Sequence, residues 1–152
     1  MKKFITLNKY GELYIDKILF ETYFPIIFTC KNENNDIFIC VCCQCNENGC
    51  KWLVGRTNGS FIVRMLQNEI TIRQLLLDCC TEKISVDYKN QEYAIAYNNS
   101  DWNEESDYLP KKDAYIDAEG GEFDEEIAYF TSIEHVEYNE EYYKIIIKEL
   151  ST

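Results

Sequence analysis

Seven consecutive apolar residues constrain this chain more than any other feature of its sequence. They are Ile37, Phe38, Ile39, Cys40, Val41, Cys42 and Cys43, and polar stretches at residues 31–36 and 46–49 bound them. The run is far shorter than the ~20 residues of a membrane helix, and its β-branched and aromatic residues favour a strand. Because neither face of such a strand is polar, we expect it to lie centrally in a sheet that is covered on both sides.

Other segments of β-type composition flank this strand at short intervals. Residues 13–20 and 26–30 precede it and residues 51–54 follow it, with turn-forming residues between the segments. A period-two alternation at residues 84–88 and a returning segment at residues 92–97 indicate a later hairpin. The sequence therefore predicts an α+β fold whose antiparallel β-meander and hairpin together supply about six strands.

Two short helices are expected between the meander and the hairpin. Gly59 and Ser60 begin the first helix, because apolar residues follow them at helical spacing. Thr71 and Gln74 have the spacing of a capping box, in which each side chain accepts a hydrogen bond from the backbone N–H of the other residue. The second helix should therefore start after Thr71. We expect one of its faces to pack on the sheet, namely Ile72, Leu75, Leu76, Cys79 and Cys80.

Charge is strongly segregated along the chain. The protein has 152 residues and a formal net charge of −12, and residues 98–141 hold fifteen acidic residues against two lysines. We therefore expect residues 1–97 to form an α+β core domain and residues 98–152 to form an acidic extension packed on the same core. Residues 142–147 predict a strand, so that the extension adds strands to the fold, and a terminal helix is the alternative.

Eight cysteines require an explanation, and five of them lie between Cys40 and Cys50. Zinc sites usually pair two C-x2–4-C knuckles, but the adjacent residues Cys79 and Cys80 supply no second knuckle. Free thiols commonly pack as small hydrophobes. We therefore expect most of these thiols to be reduced and buried, and we expect neither a metal ion nor another cofactor. A metal site at Cys40–Cys50 and redox chemistry remain alternatives.

Several activities lack their sequence signatures. The chain has no glycine-rich phosphate loop, and Gly121 and Glu122 occupy the wrong positions for a calcium-binding EF-hand loop that starts at Asp117. The single histidine, His135, gives little support for catalysis. Direct nucleic-acid binding is disfavoured because the acidic protein would repel phosphates. We also expect no secretory or membrane-spanning segment, and the prediction is a cytoplasmic protein that is not an enzyme.

Residues 12–80 resemble a small domain family that recurs in bacterial and phage genomes. The resemblance rests on Glu21, Thr22, Pro25 and Phe28 in a strand pair, on Trp52 and Leu53 in a later strand, and on Ile70 and Arg73 at a helix start. It implies the architecture of a β-meander followed by a capped helix. It carries no known activity.

The acidic extension predicts a role in protein binding. A dense block of carboxylates accelerates association with a basic surface, and aromatic residues among them can act as anchors. We expect a protein that binds and inhibits a basic protein, for example a phage or mobile-element inhibitor of a nucleic-acid-binding host defence protein. The alternatives are an immunity or antitoxin protein that neutralises a cognate toxin, and a small metal-dependent enzyme or regulator that uses the Cys40–Cys50 cluster. The predicted partner-binding residues are Asp101, Trp102, Glu104, Glu105, Asp107, Tyr108, Glu122, Asp124, Glu125 and Glu126.

Overall fold

The computed structural model describes residues 1–133 and contains a seven-stranded antiparallel sheet whose strand order in space is the order in the sequence. The strands are β1 (Lys3–Leu7), β2 (Gly11–Glu21), β3 (Pro25–Lys31), β4 (Ile37–Asn46), β5 (Gly49–Thr57), β6 (Glu82–Lys89) and β7 (Glu92–Tyr97). The helices are α1 (Gly59–Leu66), α2 (Ile72–Asp78), a 3-10 helix (Ser100–Trp102) and α3 (124–133). The predicted α+β class and antiparallel β-meander are confirmed.

The central strand is β4, and it is buried on both faces as its sequence predicts. Ile37, Ile39 and Val41 belong to a buried cluster that includes residues of α1 and α2, which we call the outer cluster. Phe38 and Cys40 belong to a second cluster with residues of β1, β5 and β6, which we call the inner cluster. Successive side chains of a strand point to opposite faces, so an unbroken apolar run supplies both clusters at once.

The sheet is strongly curled, so that it is nearly barrel-like. The ring of Phe4 on β1 lies 5.3 Å from the ring of Trp52 on β5, although these two strands do not pair. Tyr10, which follows β1, likewise packs edge-on against Phe38 of β4, with 5.2 Å between ring centroids. Within residues 1–133 the curled sheet does not close, because β1 and β7 are its two edges.

Both helices after β5 begin at a polar cap. The Asn58 side chain accepts a 3.0 Å hydrogen bond from the Phe61 N–H, so the cap of α1 is one residue before the predicted start. At α2 the predicted capping box is confirmed, because Thr71 Oγ1 accepts from the Gln74 N–H at 3.0 Å and Gln74 Oε1 accepts from the Thr71 N–H at 2.8 Å. The apolar residues of both helices lie in the outer cluster, namely Ile62, Met65, Leu66, Ile72, Leu75 and Leu76.

Two elements differ from the prediction. Strand β1 was not predicted, and a β-bulge between Lys3 and Ile5 interrupts the alternation that would have revealed it. The described part of the acidic extension contributes the helix α3, which the sequence did not predict. Phe123, which directly precedes α3, and Phe130 within it are both buried in the outer cluster. The predicted strand at residues 142–147 and His135 lie outside the described residues.

Candidate functional site

The acidic extension crosses both helices before it returns to the sheet. Arg73 of α2 donates hydrogen bonds to the carbonyl oxygens of Glu104 and Pro110. The first backbone N–H of α2, that of Ile72, donates to the Ala114 carbonyl at 3.1 Å. Helix starts have backbone N–H groups without partners inside the helix. The extension therefore satisfies polar groups of α2 and is held close to it.

The last described part of the extension is held against β2 and β3 by one tyrosine of α3. The Tyr129 hydroxyl hydrogen-bonds the Asp16 carboxylate, and Lys31 donates to the same hydroxyl at 3.2 Å. The Lys17 ammonium lies 4.4 Å from the centroid of the Tyr129 ring, within range of a cation–π interaction. Burial and the neighbouring Asp16 raise the pKa of Tyr129, so this phenol stays protonated.

Asp101, the first of the predicted partner-binding residues, is already used inside the protein. The Lys51 ammonium lies 2.7 Å from its carboxylate and 3.0 Å from that of Asp87, and the Asp101 side chain is mostly buried. Burial alone would raise the pKa of Asp101, but the hydrogen bond and the charge of Lys51 lower it below its ordinary value. The structure therefore assigns Asp101 to holding the extension on the sheet.

The two predicted aromatic anchors are also engaged within the fold. Trp102 is 5% exposed and lies in the outer cluster. Its ring lies against Gly55 of β5. A Cβ atom added at Gly55 would lie 3.3 Å from the indole. Tyr108 is half-buried, and the Lys51 ammonium lies 4.9 Å from its ring centroid. A partner could therefore reach the Trp102 side chain only if the 3-10 helix moved.

The other predicted acids are exposed, with the exception of Glu126. We call the exposed carboxylates of residues 104–125 the acidic belt; they are Glu104, Glu105, Asp107, Asp113, Asp117, Glu119, Glu122, Asp124 and Glu125. Six of the eleven carboxylates in residues 1–97 form ion pairs, whereas among the eleven in residues 98–133 only Asp101 pairs with a described residue. The nine carboxylates of the belt therefore form no ion pair with a described base, and the two lysines of the same segment, Lys111 and Lys112, leave it strongly negative.

Glu126 faces a cleft that the sequence did not reveal. The cleft has a volume of about 630 Å³, and we call it the aromatic cleft after Phe4, Phe24, Phe28, Trp52 and Tyr93, which line it. Phe4 packs edge-on against Phe28, with 5.1 Å between centroids, and the Trp52 and Tyr93 rings are 6.4 Å apart. The cleft thus opens beside the start of α3, next to the last acids of the belt.

The rim of the cleft carries charge of both signs. Lys2, Lys3 and Lys17 line it together with Asp16 and Glu126. The Lys3 ammonium lies 3.2 Å from the carboxylate of Glu12 on β2. The Lys17 ammonium lies over the Tyr129 ring. Both ammonium groups therefore already have partners within the protein. The Oε2 atom of Glu126 is buried and has no hydrogen-bond partner among the described residues. This oxygen is the polar group of the cleft that gains most from a donor.

Two cysteines of the Cys40–Cys50 cluster form a disulfide, and the other cysteines of the cluster are free. Cys45 and Cys50 are bonded, because the β4–β5 register places them directly opposite each other. Cys30 and Cys40 are free and fully buried, with their sulfur atoms 3.7 Å apart, and burial raises the pKa of the Cys40 thiol well above its ordinary value. Burial also raises the pKa of Cys43 to about 12. In residues 1–133 no three metal-ligating side chains come together.

Sequence reasoning missed the aromatic cleft because its residues come from six separate parts of the chain. Phe4, Phe24, Trp52 and Tyr93 share no spacing that identifies a common site. One signal was present, since aromatic residues make up 14% of the chain and several stand at predicted strand positions. The curl of the sheet, which brings β1 over β5, was needed to place them together.

No helix among residues 1–133 combines the length and the apolar character needed to cross a bilayer. Comparisons with protein families, with curated proteins and with solved structures give no match for this chain. The resemblance of residues 12–80 to a bacterial and phage domain family therefore stays a prediction.

Proposed function

We propose that this protein binds a basic protein through the acidic belt and inhibits that partner by covering its basic surface. The observation that carries the proposal is the difference in ion pairing between the two parts of the chain. Six of the eleven acids in residues 1–97 are paired, whereas the nine exposed acids of the belt form no ion pair with a described residue. A concentration of unpaired carboxylates produces a potential that steers a cationic partner and accelerates its association.

Inhibition follows from the chemistry of the surface that would be covered. Clusters of lysine and arginine on a protein commonly bind the phosphates of nucleic acids. A belt of carboxylates offers such a cluster the charge that phosphates would otherwise supply. A nucleic-acid-binding protein is therefore the class of partner that the belt fits best.

The aromatic cleft supplies the anchoring site that the buried Trp102 does not. Glu122, Asp124 and Glu125 at the start of α3 belong to the belt, and the next residue, Glu126, lines the cleft. An arginine side chain of the partner matches this arrangement, because its guanidinium stacks on aromatic rings and donates several hydrogen bonds. Its guanidinium would also face the carboxylate of Glu126, which lines the cleft. Anchors in desolvated pockets dominate binding energy and slow dissociation.

The test compares two triple variants with the same change in net charge. In the first, Glu122, Asp124 and Glu125 are replaced by Gln, Asn and Gln. In the matched control, the exposed acids Glu21, Glu33 and Glu47, which form no ion pair with a described residue, are each replaced by Gln. Basic proteins retained by the immobilised wild-type chain are identified, and their association rates are measured at several salt concentrations.

The belt variant should slow association by about tenfold at low salt, and the control should change it little. Raising the salt from about 50 to about 300 mM should reduce the wild-type rate, because screening shortens the range of the field. Glu126→Gln should instead accelerate dissociation, by about tenfold. The proposal would be contradicted if the association rate did not depend on salt and if both triple variants changed it equally.

A further inference from the structure

In the described part of the chain, strand β7 is an edge of the sheet, and its residues 93–97 lack the usual protection against pairing. Its register with β6 runs without a bulge from Ile84 opposite Tyr97 to Lys89 opposite Glu92. Residues 93–97 contain no charge and no proline. Natural edge strands usually carry a charge, a proline or a bulge that prevents edge-to-edge association. The opposite edge, β1, has such a bulge and is only five residues long.

The outward backbone groups of β7 can be assigned from one hydrogen bond. The Asn98 N–H donates to the Lys83 carbonyl at 2.8 Å, so Asn98 points its backbone groups towards β6. Successive residues of an antiparallel strand direct their N–H and C=O groups to alternate sides. The backbone groups of Tyr93, Ile95 and Tyr97 therefore point away from β6, at the open edge.

The same three residues present their side chains on the inner face of the sheet, where they remain substantially exposed. Tyr93 is 49% exposed, Ile95 is 37% exposed and Tyr97 is 39% exposed. Their partners on β6 include Val86 and Ile84 of the inner cluster. An apolar stripe thus runs along a strand whose hydrogen-bonding edge is also open in the described part of the chain.

The sequence of this stripe is a palindrome. Tyr93, Ala94, Ile95, Ala96 and Tyr97 read identically in both directions. If two copies of β7 pair antiparallel about Ile95, each residue meets a partner of its own kind, with tyrosine opposite tyrosine, alanine opposite alanine and isoleucine opposite isoleucine. At the flanks Glu92 meets Asn98, so no like charges come together. Aromatic and β-branched pairs across strands are stabilising.

We propose that β7 pairs with β7 of a second copy of this chain around a two-fold axis at Ile95, so that two curled sheets join edge to edge. A two-fold interface requires a surface that is complementary to itself, and the palindrome meets this requirement. Each pair at Tyr93, Ile95 and Tyr97 exchanges two backbone hydrogen bonds. Residues 1–97, which supply this edge, hold eleven acids and eleven bases, so their net charge does not oppose the contact.

Sedimentation equilibrium of the full-length chain, from about 1 µM to about 1 mM, measures the association by mass action. The expected mass rises with concentration from 18.0 kDa towards twice that value. Ile95→Lys should raise the dimer dissociation constant by about tenfold or more, because it places two ammonium groups directly opposite each other. Ile18→Lys is the matched control, since Ile18 is similarly exposed, at 45%, and lies on β2.

A charge-swap experiment separates loss of pairing from loss of folding. Ile95→Lys and Ile95→Glu should each be monomeric alone and should associate when mixed, because the lysine of one copy then faces the glutamate of the other. A wild-type chain that stays monomeric at every concentration overturns the proposal. If the amide hydrogens of Tyr93, Ile95 and Tyr97 are nevertheless protected from exchange in that monomer, another segment of the same chain occupies the edge. Association that Ile95→Lys leaves unchanged also overturns the proposal.

Discussion

The ammonium of Lys51 lies 2.7 Å from the carboxylate of Asp101, and this ion pair ties the start of the acidic extension to strand β5. Both side chains are mostly buried. Lys51 also pairs with Asp87, so it keeps one partner if Asp101 is removed. Asp101→Asn should lower the free energy of unfolding at pH 7 by about 1.5 to 3 kcal/mol, the usual worth of a hydrogen bond to a charged group. Denaturation with urea measures this difference.

The difference in free energy of unfolding between the wild type and Asp101→Asn should depend on pH in a definite direction. The pKa of Asp101 is lowered in the folded state, so the unfolded state binds the proton more readily. The stabilisation is therefore complete above the ordinary carboxyl pKa of about 4 and is lost as the pH falls through the lower folded value. The gap between wild type and Asp101→Asn should shrink as the pH is lowered from 7 to about 3. An equal gap at both pH values would contradict the role of the ion pair.

Gly55 of β5 is required by a close neighbour rather than by a special backbone angle. A Cβ atom at this position would lie 2.4 Å from the Cys80 sulfur. Gly55→Ala should therefore destabilise the protein by about 1 to 3 kcal/mol through overpacking. Adding Cys80→Ala should recover a large part of this loss, which a double-mutant cycle in urea would measure. A double variant no more stable than Gly55→Ala would show that another contact is responsible.

The capping box of α2 predicts a specific pattern of substitutions at Thr71. Thr71→Ala removes the oxygen that accepts from the Gln74 N–H and should cost about 1 kcal/mol of stability. Thr71→Ser removes only the methyl group and keeps the cap, so it should be more stable than Thr71→Ala. Thermal unfolding followed by circular dichroism compares the three proteins. Equal stability of the alanine and serine variants would indicate that the methyl group, not the cap, matters.

The disulfide between Cys45 and Cys50 predicts a thiol count. Titration of the protein unfolded in guanidinium without a reductant should find six reactive thiols, matching the six free cysteines. After reduction the count should rise to the eight cysteines in the sequence. In the folded protein Cys30 and Cys40 should react slowest, because both are fully buried. A count of eight before reduction would contradict the disulfide.

The parts of the fold that the sequence predicts correctly depend on local patterns. The apolar run of β4, the spacing of Thr71 and Gln74, and the alternation of β6 each lie within about ten residues, and each defines an element by itself. The β6–β7 turn is another example, since Asn90 and Gln91 both have positive φ, as a two-residue hairpin loop of the observed kind requires. Where a bulge disturbed the pattern, at β1, the element was missed.

The exposure of the proposed binding residues was predicted only in part, because exposure depends on distant residues. Glu104, Glu122 and Asp124 are exposed, as expected for acids in a polar stretch. Trp102 stands among acids in the sequence, but its surroundings in space are supplied by β5 and the outer cluster. Its burial therefore could not be read from neighbours along the chain. The bonding of Cys45 to Cys50 likewise depends on strand register, which the spacing of five residues leaves open.

Synthesis on the ribosome proceeds from the N-terminus, so the acidic extension emerges after residues 1–97. The meander and both helices emerge first, whereas Trp102, Leu109, Phe123 and Phe130 complete the outer cluster last. A nascent chain that has emerged only to residue 97 presents the unfinished side of that cluster to the solvent, where chaperones recognise apolar surface. The acidic extension, which carries the negative charge of the protein, thus also covers this apolar surface and ends the risk of aggregation during synthesis.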